Sequence, residues 1–298
     1  MRNATTARAA LALAALLAGA PCAAQPSALP PLDAATSLLV VAPHPDDETL
    51  CCAGVMQRVA RAGGRVSVVW ITSGDASELD LLVIEKSPLM RAGGARDLAA
   101  RRMREARAAT ALLGVPAEAQ LFLGYPDGGV LELLTAHRTR PFTSPFSRAA
   151  AVPYAQALFP GHPYTGASLE ADFAAVLEDV HPTLILAPTP LDAHTDHRAA
   201  GLLTITVARR LQLLTAVRYW VVHGGPGWPS PRGLVQGVPL TPAPRLAGLT
   251  PSAFTLEPAE EDRKLRAVRT YDTQMRVIAP FLLAFVRSNE LFSVDPQP

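Results

Sequence analysis

Ser37-Leu38-Leu39-Val40-Val41-Ala42 runs directly into Pro43-His44-Pro45-Asp46-Asp47-Glu48, and this junction decides the reading of the fold. A short apolar run without polar alternation suits a strand buried on both faces, which is the habit of parallel sheets. Thr49 to Ala62 then has helical spacing and stops at Gly63-Gly64, a C-cap signal. Working outward, strands are expected at Arg65–Thr72 (RVSVVWIT), Ala119–Gly124, Thr183–Ala187 and Val217–Val222. Helices are expected at Arg96–Leu113, Leu169–Val180 and Arg198–Leu214, and Glu260–Phe292 again has helical spacing. Strand and helix alternating in this way predict an α/β fold, a parallel sheet covered on both faces. Three stretches break the pattern: Gly74–Gly94, the proline-rich Leu134–Thr165, and Gly224–Pro251. Irregular segments this long act as lids or binding walls.

The 298 residues are 49% apolar and 18% charged, too apolar for a disordered chain. Arg2 and Arg8 precede the Ala/Leu run Ala9–Ala20, and Cys22-Ala23-Ala24 offers small residues to a signal peptidase. Residues 1–24 therefore read as a signal peptide cleaved after Ala24, residues 25–298 as one domain, and the destination as the periplasm. The apolar run is too short to span a bilayer, and no span is expected in the mature chain. Removing Arg2 and Arg8 leaves 25 basic against 26 acidic residues, with no basic face for nucleic acid. Of the cysteines, only the neighbours Cys51 and Cys52 then remain. Adjacent cysteines bridge only with strain, so they are expected to be two small buried hydrophobes on a helix.

A dinucleotide-binding fold would place a Gly-x-Gly-x-x-Gly turn after the first strand. This chain places a histidine and three carboxylates there, welcoming to a divalent metal and hostile to phosphate. A second cluster, Asp192-Ala193-His194-Thr195-Asp196-His197, follows the strand Thr183–Ala187. Ligands bind at the carboxyl ends of parallel strands, so the two clusters are expected to converge. Mixed imidazole and carboxylate donors suit Zn²⁺, with another divalent metal such as Fe²⁺ as the alternative. His44, Asp47 and His197 would supply three ligands. Asp46, left beside the metal, would serve as general base to the attacking water.

The runs His44-Pro45-Asp46-Asp47-Glu48 and His194-Thr195-Asp196-His197 resemble the two signature motifs of the LmbE-like (PIG-L) zinc-dependent deacetylases. Thr49–Gly54 is similar to that family's Gly/Cys-rich helix start, departing at Cys51 and Ala53 where glycine is usual. Arg102–Glu105, Gly124–Gly128 and the segment Lys264–Phe292 resemble further family stretches, so the likeness runs from Ser37 to Phe292. The resemblance implies a Rossmann-like three-layer sandwich with a mostly parallel sheet. It implies hydrolysis of the N-acetyl group of an N-acetylglucosamine-type sugar or glycoconjugate, a small-molecule or glycoconjugate amide. It also implies zinc on His44, Asp47 and His197 and Asp46 as base. His194 would be an imidazolium that meets the oxyanion and protonates the leaving amine, and Asp196 would orient it. Arg102 and Asp127 match substrate-binding positions. Residue by residue, blander readings stand beside these: Arg102 could pair with Glu105 one helical turn on, Asp127 could simply start the Pro126-Asp127-Gly128 turn, and His223 could line the pocket or be an ordinary loop histidine. Glu48 and Asp192 would sit just outside the metal ligands, and Trp228 could stack on a sugar. Rival functions on the same fold are a zinc amidase for another N-acyl substrate and a periplasmic protein that binds sugar or metal without turnover.

Overall fold

The structure is a computed structural model, and it describes residues 29–76, 92–244 and 250–294. The run that opens the sequence argument is strand β1 (Ser37–Ala42), every residue of it buried. Its neighbours are β2 (Arg65–Thr72) on one side and β4 (Leu184–Pro188) on the other; β3 (Gln120–Tyr125) and β5 (Val217–Trp220) form the edges. All pairings are parallel, in the order β3-β2-β1-β4-β5. Val40 lies opposite Val68 on one flank and Leu186 on the other. Burial of each such side chain is worth about 1.5–3 kcal/mol, so the register is fixed from both sides. The chain moves outward from β1 to β3, then returns to lay β4 against β1. Between those two strands lies the topological switch point, where such sheets open a crevice at their carboxyl ends.

Helices α1 (Asp47–Arg61), α2 (Ala92–Leu112), α3 (Val130–Leu134), α4 (Gly166–Val180) and α5 (Thr195–Arg210) connect the strands, and the sheet with its flanking helices is the expected layered α/β architecture. The four helices expected between the strands all start earlier than expected, and two of those starts matter. Helix α1 begins at Asp47, so Asp47 and Glu48 occupy its first turn, where the helix dipole favours carboxylates. Helix α5 begins at Thr195 with His194 as its N-cap, which puts His194 and His197 one turn apart. Helix α2 opens at Ala92; residues 77–91 of the expected irregular stretch lie outside the described residues, as do residues 1–28 with the expected signal segment.

The C-terminal expectation needs correction. Glu260–Phe292 is not one helical run: it divides into α6 (Pro258–Val268), α7 (Asp272–Leu282) and a strand, β7 (Asn289–Phe292). Strand β7 pairs antiparallel with β6 (Ser252–Thr255) in a separate two-stranded sheet. Ser293 bridges to Tyr219 and ties this sheet to the edge of the main one. Helix α7 carries Pro280 and has non-helical backbone at Ile278, since the proline ring blocks the preceding turn.

Cys51 and Cys52 are also corrected: they are joined by a disulfide, and both sulfur-bearing side chains are buried in the core as hydrophobes would be. The bond encloses no intervening residue, so it ties no distant parts of the chain together. No helix among the described residues is long and apolar enough to cross a membrane.

Candidate active site

The carboxyl ends of all five parallel strands contribute to one cleft of about 190 Å³. After β1 come His44, Asp46 and Asp47; after β2, Ala76; after β3, Asp127; after β4, His194; after β5, Val222 and His223. Helix α7 closes one side with Gln274, Ile278 and Phe281. Apart from Trp228, every residue singled out for the site from sequence lines the cleft or touches one that does, with Asp196 and His197 fully buried beneath it.

Asp47 Oδ2 is the hub. It lies 3.2 Å from His44 Nδ1 and 3.2 Å from His197 Nε2, and it accepts a hydrogen bond from the His44 backbone N–H at 2.9 Å. His197 is fully buried, and neither of its ring nitrogens makes a hydrogen bond: the approaches to Asp47 and, at 3.3 Å, to Asp192 are charge contacts only. Burial alone would lower the His197 pKa, yet the charges of Asp47 and Asp192 raise it to about 9. The pocket thus favours positive charge at this point, and it holds a buried imidazole nitrogen with no hydrogen bond beside a carboxylate. Both features fit a divalent cation. Donor atoms also lie within 4.8 Å of one another in three overlapping sets: His44, His194 and His197; Asp47, His197 and His223; His44, Asp127 and Asp196.

Asp46 has φ 136° and ψ −34°, a strained conformation for a residue with a side chain. Its backbone N–H donates to Glu48 Oε2 at 3.1 Å, and its carboxylate receives Arg102 Nη2 at 3.4 Å. Arg102 also donates to the carbonyls of Pro45 (3.0 Å) and Gly74 (3.2 Å). A side chain at Gly74, where φ is +71°, would collide with the guanidinium, so glycine there makes room for the arginine. Glu105, the helical alternative partner, accepts from the backbone and hydroxyl of Thr273. Burial foremost, with Asp47 and Glu48 adding their charge, raises the Asp46 pKa well above the carboxylate range, against the pull of Arg102 and His44.

Two expectations about the second motif change. The Asp196 carboxylate does not contact His194. It accepts from Gly128 N–H (2.7 Å) and Val130 N–H (3.2 Å) and faces His44 Nε2 at 3.3 Å, pinning the β3–α3 turn to the site. The Asp196 backbone N–H is what meets His194, donating to Nδ1 at 3.2 Å because His194 is the helix N-cap. Burial, then the neighbouring His44 and His197, lower the His194 pKa to about 4, which favours the neutral ring over the imidazolium that the resemblance implies. With Nδ1 accepting, the proton of the neutral ring sits on Nε2.

Asp127 does more than start a turn. Its carboxylate lies 3.2 Å from His44 Nε2 and accepts from Ala76 N–H at 3.2 Å. Trp228 packs edge-on against Phe285, donates to Thr241, and stays out of the cleft. Asp192 accepts from the backbone N–H groups of His194, Val222 and His223, and Glu48 accepts from Tyr271, Thr49 and Trp70.

Asp75 and the α7 wall were not anticipated. Asp75 is a lone acid in a stretch without periodicity, and Ile278 and Phe281 fall within the segment Glu260–Phe292 noted only for its helical spacing. Asp75 is fully buried, accepts from Asp127 N–H and Tyr154 O–H, and has a pKa raised to about 6 by burial and then by Asp127. A carboxyl whose folded pKa exceeds its unfolded value costs stability wherever it is ionised. The cost is absent below about pH 4, grows to about pH 6 and is constant above. Asp75→Asn, which does not titrate, is expected to gain on wild type by about 3 kcal/mol across that window, the equivalent of moving a pKa from 3.8 to about 6. Urea unfolding of both proteins at pH 4 and pH 7 reads the difference; a constant difference would contradict it.

The fold and cleft define a parallel α/β protein with a pocket of imidazole and carboxylate donors at its switch point. Residues 39–208 match the family described as PIG-L: GlcNAc-PI de-N-acetylase, and the chain belongs to it. It is 28% identical over 208 residues to the 1D-myo-inositol 2-acetamido-2-deoxy-alpha-D-glucopyranoside deacetylase of Mycobacterium sp. (strain KMS), covering 68% of this chain and 59% of that one. The chain thus spans less than two thirds of that relative's length. The enzyme of the same name from Tsukamurella paurometabola is 28% identical over 286 residues, covering 85% of this chain and 87% of its own. The structure of N,N'-diacetylchitobiose deacetylase from Pyrococcus horikoshii, in complex with an inhibitor, shares the fold with a TM-score of 0.53 at 18% identity, over 86% of this chain and 82% of that chain.

Proposed function

We propose that this protein is a metal-dependent hydrolase that removes the N-acetyl group from an N-acetylglucosamine-type sugar or glycoconjugate, with zinc as its metal. The observation that carries the proposal is Asp47 held between the imidazoles of His44 and His197 with a second carboxylate, Asp46, free of the triad and facing the same cleft. The family, and the sugar deacetylases named above, support the choice of substrate. His44, Asp47 and His197 would hold the metal, which when bound supplies Lewis acidity to the acetamide carbonyl and to a water.

The protein's own residues do the rest. Asp46, with its raised pKa, takes the proton of the attacking water, and Arg102 keeps its carboxylate in place. The Nε2–H of His194 donates to the oxyanion as the carbonyl becomes tetrahedral, a hydrogen bond from a neutral ring. Collapse of that species breaks the C–N bond, and the proton held on Asp46 passes to the departing amine. Leu50, Ile278 and Phe281 give the cleft an apolar side that limits water, while Asp127 offers an acceptor. Export is part of the proposal, supported by the charge and apolar run of residues 1–24.

The test is free-amine and acetate release from N-acetylglucosaminyl-inositol and N,N'-diacetylchitobiose. Activity is expected to vanish with a chelator and return with Zn²⁺. Protein that binds no divalent metal and releases no acetate from any N-acetylated sugar would rule the proposal out.

A further inference from the structure

The imidazole of His223 belongs to no motif and follows His197 by a whole helix and strand, yet the fold returns it to the hub of the site. Donor atoms of Asp47, His197 and His223 all lie within 4.8 Å of one another. The His223 ring stands edge-on to His197, centroids 4.6 Å apart, and stacks on Phe281 at 5.6 Å with 17° between planes. Its backbone is fixed by Asp192 Oδ2, which accepts from the N–H of His223 at 3.1 Å and lies 3.3 Å from His197 Nδ1. One carboxylate therefore sets the positions of both imidazoles. The ring lines the cleft and makes no side-chain hydrogen bond among the described residues, so nothing competes for its nitrogen lone pair.

We propose that His223 is a fourth protein ligand of the metal, joining His44, Asp47 and His197. This rests on the reading of the pocket as a metal centre and adds a donor that the two motifs do not contain. A centre held by four protein donors would still admit one oxygen, of water or of the carbonyl, as a fifth ligand, since catalytic zinc tolerates five-coordination. The consequence is retention: an exported enzyme with a fourth donor keeps its zinc against dilution and competing chelators.

Removing even a hydrogen-bonding partner of a metal ligand costs about 10–100-fold in affinity, so loss of a donor is expected to cost at least that. His223→Phe keeps the ring stack on Phe281 and removes the nitrogen. Competition with a chromogenic chelator should show zinc dissociation constants at least ~10-fold weaker than wild type, and the Co²⁺-substituted protein should show an altered visible spectrum. A measurement on wild type needs no variant: imidazole ¹⁵N spectra of the zinc-loaded protein should show three metal-bound histidines. Two bound histidines, or unchanged affinity and spectrum in a folded His223→Phe, overturn the inference while leaving the hydrolase reading intact. Wild type that binds no metal overturns both.

Discussion

Asp46→Asn is expected to lower the rate of N-acetyl hydrolysis by about 10²–10⁴-fold while leaving zinc content near that of wild type. The split between rate and metal follows from geometry. Asp46 contributes no atom to the Asp47 hub that joins His44 and His197, so losing its charge removes no ligand. What it loses is the proton acceptor facing the cleft. Asparagine keeps the shape and keeps an oxygen for Arg102, so the turn before α1 should survive. The pH profile carries the same information. Burial, Asp47 and Glu48 raise the Asp46 pKa, so the active, ionised base is present at high pH and lost as pH falls through that raised value. The acidic limb of the wild-type profile should therefore lie above the usual carboxylate range. It should disappear from the residual activity of Asp46→Asn. His44→Ala is the contrasting case and should lose metal and rate together. A metal-loaded Asp46→Asn with wild-type turnover would show that another group takes the proton.

The parts of the molecule legible in its sequence are those where one physical requirement acts alone. β1, β4 and most of β2 are buried on both faces, so continuous apolar runs such as SLLVVA announce them. The motifs stood out because acids and imidazoles are costly at a buried strand end unless they do chemistry, and the sheet topology brings those ends together. The miss at the C terminus has a different origin. In Asn289–Phe292 both Asn289 and Glu290 are buried, so the polar/apolar alternation that marks a half-buried strand is absent. Their burial depends on partners far away: Asn289 holds the backbone of Leu240, and Glu290 pairs with Lys264. Ile278 and Phe281 were illegible as site residues for the same reason, since their roles exist only in proximity to residues distant along the chain, whereas His223, a pocket-lining candidate from sequence, does line the cleft. The state of His194 could not be read either, because it is set by burial and by two histidines from other positions.

Lys264→Met is expected to destabilise the fold by about 3–5 kcal/mol, the cost of leaving a buried charge without its partner. Lys264 and Glu290 are each about 1% exposed, and the ammonium donates to Glu290 Oε1 at 2.9 Å and to the Leu50 carbonyl at 2.7 Å. The carboxylate in turn accepts from the N–H groups of Gly54 and Val55 inside α1. This approach is close enough that a Cβ at Gly54 would lie 3.1 Å from Glu290 and 2.8 Å from Leu256, which explains the glycine. The pair therefore fastens the helix whose first turn carries Asp47 to the strand β7. Methionine fills most of the lysine's volume, so the loss is electrostatic rather than a cavity. The sign with pH is definite. Burial already raises the Glu290 pKa, and losing the nearby cation raises it further. The penalty is carried by the ionised form, so the variant's deficit should be full at pH 8 and shrink as pH falls and Glu290 takes up a proton. Adding Glu290→Gln should recover part of the loss at pH 8, because an uncharged side chain there needs no cation. Urea unfolding of the single and double variants at pH 5 and pH 8 measures all three effects. A deficit below about 1 kcal/mol, or one that does not change with pH, would mean that Glu290 is already protonated in the wild-type fold and that its hydrogen bonds to α1, not its charge, hold the helix.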